Sequence, residues 1–280
     1  MTPRGAIVWG DWPMRFGMTV MALFGSLVIV GASTLPAYAA GTSHTPSGND
    51  VSFPQCRKTL PSQHTFGIVG VNDGRADTTN PCLAGQITWA RKSSGQTRQP
   101  RVSFYVNTGE PGKRKVADWP ANNHDPISGK TVTDPYGKCA GKKDDRACAW
   151  QFGRNMAELD AKIRGISKPG RYRWWLDVET ITTWDSSTWN NRADLEGMVA
   201  YFHHIGGTVG IYSTAFQLHK ILKIIPSTSL LYRLADWIPG ARTLAQAQAN
   251  CRLAPLTARG AVTVTQWEKS KIDHDFSCPR

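Results

Sequence analysis

Eight short apolar runs, set apart along the chain and alternating with helical patterns, constrain the fold more than any other feature. They fall at 50–53, 66–71, 102–106, 172–178, 208–212, 230–235, 262–267 and 272–276, rich in β-branched and aromatic residues. Apolar residues recur at three-to-four spacing over 83–93, 150–166 and 192–205, which predicts amphipathic helices there. Strands separated by helices imply parallel βαβ units, and eight of them suit an α/β barrel. The segment 109–148 breaks the rhythm, being rich in Gly, Pro, Lys and Asp, and reads as an insertion between the third strand and its helix. Loops that follow barrel strands gather at one mouth, so the insertion either walls a cleft there or forms a surface excursion.

The N-terminus reads as an export signal over 1–40. Arg4 and Arg15 precede an apolar run at 16–32, and Ala37-Tyr38-Ala39 supplies a small-x-small cleavage site. The run approaches membrane-spanning length, so an uncleaved anchor is the competing reading. Residues 41–48 are short and polar and suit a linker, leaving 49–280 as one folded domain. All six cysteines follow the signal, an even count that favours disulfides in an exported chain. Cys139 and Cys148 flank a compact loop and are expected to pair.

Formal charge is +12, or +11 once Arg4, Arg15 and Asp11 leave with the signal. Such a chain adsorbs to anionic surfaces. For an exported protein an anionic cell wall is the fitting partner, whereas scattered Lys and Arg without a recognisable binding motif argue against nucleic acid. The expectation is a secreted or wall-associated monomer, off the membrane after signal cleavage.

Chemistry concentrates at Leu176-Asp177-Val178-Glu179. On a strand, residues two apart point to the same side, so both carboxylates are offered to one ligand. Cleavage of a glycosidic bond needs such a pair, one protonated to donate to the leaving oxygen and one ionised to stabilise or attack the sugar. Asp50 opens the first strand run and Asp273 the last, with Asp275 an alternative two residues on. Barrel strand ends converge, so these acids are expected to face Asp177 and Glu179. Trp174, Trp175, Trp184, Trp189, Tyr212, Trp237 and Trp267 accumulate around them, a composition suited to stacking on sugar rings as well as to core packing. Phosphate-binding glycine fingerprints and nucleophile elbows are absent from the sequence. Neither a cofactor nor a metal is expected, although an oxygen-only site drawing on Asp50, Asp177 and Asp273 would suit calcium or magnesium.

The ordered set Asp50-Val51-Ser52 with Gln55, Leu176-Asp177-Val178-Glu179, Gly210-Ile211-Tyr212-Ser213, Leu234-Ala235-Asp236-Trp237 and Gln266-Trp267 before Asp273 resembles family 25 glycoside hydrolases, lysozyme-like N-acetylmuramidases. The resemblance implies an irregular TIM-type barrel with helices mostly in its first five units. It implies hydrolysis of the β-1,4 bond between N-acetylmuramic acid and N-acetylglucosamine in peptidoglycan. Glu179 then matches the general acid and Asp177 the acid that orients or stabilises the substrate's acetamido group. Asp50 and Asp273 match the flanking carboxylates, and Tyr212, Trp237, Gln266 and Trp267 would bind substrate. A noncatalytic or differently specific glycan-binding barrel is the other reading. The chain departs from the family where Asn72-Asp73-Gly74 stands for a lysine-containing run and Val106-Asn107-Thr108-Gly109 for an aromatic-histidine strand end. In a barrel of this kind Cys56 and Cys82 each follow an early strand, and Cys251 and Cys278 flank the last two. Both pairs are therefore expected to bridge.

Overall fold

The computed structural model describes residues 46–279 except residue 63. The export segment 1–40 and most of the linker lie outside the described residues. Eight strands form a closed barrel in chain order: β1 (Ser47–Val51), β2 (Gly67–Gly70), β3 (Val102–Asn107), β4 (Arg173–Asp177), β5 (Thr208–Tyr212), β6 (Ala235–Ala241), β7 (Ala261–Lys269) and β8 (Ile272–Ser277). Neighbours from β1 to β7 are parallel, whereas β8 runs antiparallel to both β7 and β1 and closes the ring. The hairpin into β8 turns on Ser270 and Lys271, both left-handed at φ 55° and 61°, as a two-residue turn matched to strand twist requires. Strand β1 opens at Ser47, so residues 47 and 48, read above as the end of the linker, instead pair with Phe276 and Asp275.

Alternation along the strands sorts side chains into two layers. Inward go Phe66, Ile68, Trp175, Trp237 and Val264, with Tyr105 and Tyr212 partly buried against them. Outward go Val51, Val69, Phe104, Val106, Trp174, Leu176, Val209 and Ile211, which pack under the helices. The interior rings fit because glycine faces them. A Cβ on Gly70 would strike the Tyr105 ring, and one on Gly210 would strike the Trp175 ring.

Five helices surround the barrel: α1 (Leu83–Ala90), α2 (Arg146–Glu158), α3 (Thr188–His204), α4 (Ala215–Leu222) and α5 (Leu244–Asn250). Asp145, Ser187, Thr214 and Thr243 cap the last four, each side chain accepting from a backbone N–H in the first turn. Helix α2 continues into a π-helical turn, Leu159–Ile163. The periodicity singled out α1, α2 and α3, and α4 and α5, eight and seven residues long, are found only in the structure.

The run 230–235 is a correction. Residues 230–233 form turns, with Arg233 at φ 68°, and the strand is Ala235–Ala241. Pro239 and Gly240 close that strand, where its register against β7 shifts, and both residues disguise a strand in sequence.

Between β3 and α2 the chain makes no long element, but it is held down. Asp125 accepts from the Ser128 backbone and hydroxyl at 2.8 and 2.9 Å and pairs with buried Arg154 of α2 at 3.2 Å. Cys139 N donates to Asn123 Oδ1 at 2.8 Å. All three expected bridges form: Cys56–Cys82, Cys139–Cys148 and Cys251–Cys278.

The glycine–ring complementarity is testable. Gly210→Ala should lower the unfolding free energy by roughly 1–3 kcal/mol, the usual cost of an overpacked core. Urea denaturation with the disulfides intact measures it, and an unchanged midpoint would mean the interior has room to spare.

Candidate active site

Asp177 is the last residue of β4 and follows Trp175 inward, 7% exposed. Glu179 lies two residues on, at the start of a turn, and is partly exposed. Its backbone carbonyl is gripped by the Trp184 indole at 2.8 Å and the Thr182 hydroxyl at 3.0 Å. Its Oε1 accepts from Gln217 Nε2 at 3.4 Å, and that amide is fixed because its oxygen accepts from Thr180 N at 2.7 Å.

Asp50 and Asp273 are register partners across the antiparallel β1–β8 pair. Asp50 is 7% exposed and accepts from Gln266 Nε2 at 2.8 Å. Gln266 Oε1 in turn accepts from the Tyr212 hydroxyl at 3.0 Å, which settles the amide's orientation. Tyr212 and Gln266 thus brace Asp50 in this structure. Burial first, then the carboxylates of Asp177, Asp50, Glu179 and Asp273, raises the Tyr212 phenol well above its usual range. One phenol therefore feels all four acids that the sequence singled out.

The tryptophans are placed otherwise than expected. Trp237 is 2% exposed, inside the barrel, with its indole donating to Asp275 Oδ1 at 2.9 Å. Trp267 faces outward, packed with Ala241, Ala247 and Phe276 and stacked on His274. Period two decides this: Gln266 and Trp267 are adjacent on β7, so when Gln266 points in, Trp267 points out. Trp174 likewise packs outward, against Phe202.

Two residues that the sequence named without giving a role in the site adjoin these acids. Asn107, at the end of β3, donates to Asp177 Oδ2 at 2.7 Å. Asp275 is fully buried behind Asp50, the alternative acid of β8 now lying beneath Asp273 rather than replacing it. Both were legible as strand-end or same-face positions, two residues from Tyr105 and Asp273.

Burial sets the electrostatics. Desolvation, then the Asp273 carboxylate, pushes Asp50 up to about 8. Desolvation, then Glu179, raises Asp177 well above the carboxylate range, against the lowering effect of the Asn107 hydrogen bond. Asp275 is raised by burial and then by Asp50, and Asp273 by burial and then by Glu268. Low dielectric and like charges both disfavour ionisation, so protons are retained where free carboxylates would have released them.

Neither a family model nor a curated protein matches this chain. Among solved structures it matches the bacterial lysozyme from Streptomyces coelicolor, with a TM-score of 0.51 over 84% of this chain and 93% of that one, at 12% identity. The barrel has the fold of that lysozyme. At this identity the likeness speaks for architecture: a closed eight-stranded α/β barrel of irregular TIM type, as the sequence resemblance implied.

A pH dependence of stability follows from the raised acids. A carboxyl whose folded pKa lies above its unfolded value favours the native state below about pH 4, and that contribution is lost as pH rises toward the folded pKa. For Asp50 the window runs from about 4 to about 8. The melting temperature should therefore fall from pH 4.5 to pH 8, by roughly 5 °C or more. Asp50→Asn, which mimics the protonated acid, should shrink the fall. Scanning calorimetry of both proteins checks it; equal slopes would remove Asp50 from the account.

Proposed function

We propose that this protein is a glycoside hydrolase that cleaves the β-1,4 linkage between N-acetylmuramic acid and N-acetylglucosamine in peptidoglycan. The observation that carries the reading is geometric: Asp177 at the end of β4 is the register partner of Tyr212, the Tyr212 hydroxyl reaches Asp50 through Gln266, Asp50 faces Asp273 across the β1–β8 pair, and Glu179 follows Asp177 by two residues. Glu179 has solvent access at the rim and an anchored backbone, which suits a group that donates to a glycosidic oxygen. Asp177 lies beside it, buried and strongly proton-retaining, and would meet the sugar from below. Asp50 and Asp273 set the field across the mouth. The lysozyme fold supports the choice of a wall glycan, and the net charge of +11 left after removal of residues 1–40 favours an anionic wall.

Three disulfides suit an oxidising compartment, and among the described residues no helix is long and apolar enough to cross a membrane. These support export, with residues 1–40 as the signal, 41–46 as the linker and 47–280 as one domain carrying an insertion over about 109–148. A glycan-binding barrel without turnover is the second reading. It is favoured by Trp237 being buried beneath Tyr212 and by Trp267 facing outward, which leaves neither ring free to stack on a sugar.

One experiment separates the two: the protein freed of residues 1–40 is incubated with purified peptidoglycan, and new reducing ends are identified by mass. Hydrolysis is the expected result; binding without release would favour the second reading. Glu179→Gln should cut turnover by roughly a hundredfold to ten-thousandfold while leaving binding and folding intact, because glutamine keeps the shape but donates no acidic proton. Asp177→Asn should be comparably severe and Asp50→Asn milder. Full activity in Glu179→Gln would remove the assignment.

A further inference from the structure

A line of polar groups, buried up to the half-buried Asn107, runs from the apolar layer between sheet and helices to Asp177. It begins in the π-helical turn after α2, where Asp160 is wholly buried and pairs with Arg164 at 3.2 Å. Asn72, 1% exposed and just past the end of β2, donates to Asp160 Oδ1 at 3.0 Å. The same Nδ2 also faces the carbonyl oxygens of Ala76 and Thr78 at 3.1 and 3.2 Å. With three acceptors around its nitrogen, the Asn72 amide has a single sensible orientation, and its Oδ1 accepts from Asn107 N at 2.8 Å. Asn107 then donates from Nδ2 to Asp177 Oδ2 at 2.7 Å. Among the described residues, Asp177 Oδ1 is buried without a hydrogen-bond partner.

A polar chain through an apolar layer is costly unless every member is satisfied, so its presence calls for a purpose. The surrounding layer, with Val71, Val106, Leu176 and Val178, would accept apolar side chains in its place. Both asparagines stand at the same end of parallel neighbours, Asn72 just past β2 and Asn107 closing β3. π-helical turns recur at functional sites, and here the turn carries the acid that anchors the far end.

We propose that Asn107, locked by Asn72 and Asp160, is a positioning residue for Asp177: it occupies one carboxyl oxygen, favours the ionised form, and leaves the other oxygen as the hydrogen-bonding atom offered to the ligand. This rests on the hydrolase reading for its catalytic meaning but not for its electrostatics. The groups that bear on Asp177 from the packed elements are Glu179 on its own segment, Asp50 on β1, Tyr105 and Asn107 on β3, and Tyr212 on β5. Asn107 is the neighbour that stabilises negative charge there, and Glu179 and Asp50 oppose it.

The test is a titration of Asp177 followed by carboxyl carbon-13 NMR in the wild-type protein and in Asn107→Leu, Asn107→Ala and Asn72→Leu. Loss of the donor should raise the Asp177 midpoint by about one pH unit or more, within the usual strength of a hydrogen bond to a charged group. Asn107→Leu keeps the volume, and Asn107→Ala gives a second measurement should the first fail to fold. Asn72→Leu should shift the midpoint in the same direction by less, since it loosens the donor without deleting it. Peptidoglycan turnover in the Asn107 variants should fall about tenfold, with its pH profile displaced to the alkaline side. An unchanged midpoint in a folded Asn107 variant overturns the proposal, and an unchanged midpoint in Asn72→Leu overturns the part played by Asn72. A wild type that releases no reducing ends, with the midpoint still shifting, removes the hydrolase reading and upholds the positioning role.

Discussion

The antiparallel pairing of β8 with β1 is the contact on which the site depends. A parallel series from β1 to β7 leaves two open edges, and β8 satisfies both at once. Because it runs the other way, its first residues, not its last, lie at the mouth where β1 to β7 end. Asp273 is thereby set against Asp50, and Asp275 sits one layer deeper, where Trp237 holds it. The reversal also gives the hairpin its two left-handed residues, Ser270 and Lys271.

That geometry packs acids where water is scarce. Each buried carboxyl opposes ionisation of the next, and the interior supplies few cations to offset them: among the described residues the buried ion pairs, Arg154 with Asp125 and Glu158, Arg164 with Asp160 and Arg192 with Glu196, lie on or against the helices. What the interior supplies instead is neutral donors, Gln266 to Asp50, Asn107 to Asp177 and Trp237 to Asp275. Neutral donors fix orientation and moderate charge without abolishing proton affinity. An Arg beside each acid would hold it ionised, and the raised proton affinity that the mouth now shows would be lost.

Much of this was legible in the sequence, and particular residues show why the rest was not. Asp177 could be placed facing inward because alternate strand residues share a face, and the bridges because few barrel positions bring two cysteines together. The same rule, applied to Gln266 and Trp267, would have kept only one of them at the mouth. Strand β6 was displaced because Leu230 and Leu231 look like a strand start while Pro239 and Gly240 look like an end. Asn72 and Asn107 were seen as departures, but their partnership spans 35 residues and needs the parallel register of β2 and β3 to become visible.

Fold and site pull in opposite directions on stability, and the cross-links offset the cost. Buried proton-retaining acids weaken the native state as pH rises, and they cluster at the mouth. Cys56–Cys82 joins the segments that follow β1 and β2 beside that mouth, and Cys251–Cys278 ties the end of α5 to the chain just past β8, the strand that completes the ring. Closures of this length are worth about 3.5 kcal/mol each in the chain-entropy account. They act on the unfolded chain, at any pH where the thiols stay oxidised, and so offset an acid-site cost without touching the acids. A barrel stapled in this way can keep its carboxyls buried through the neutral range.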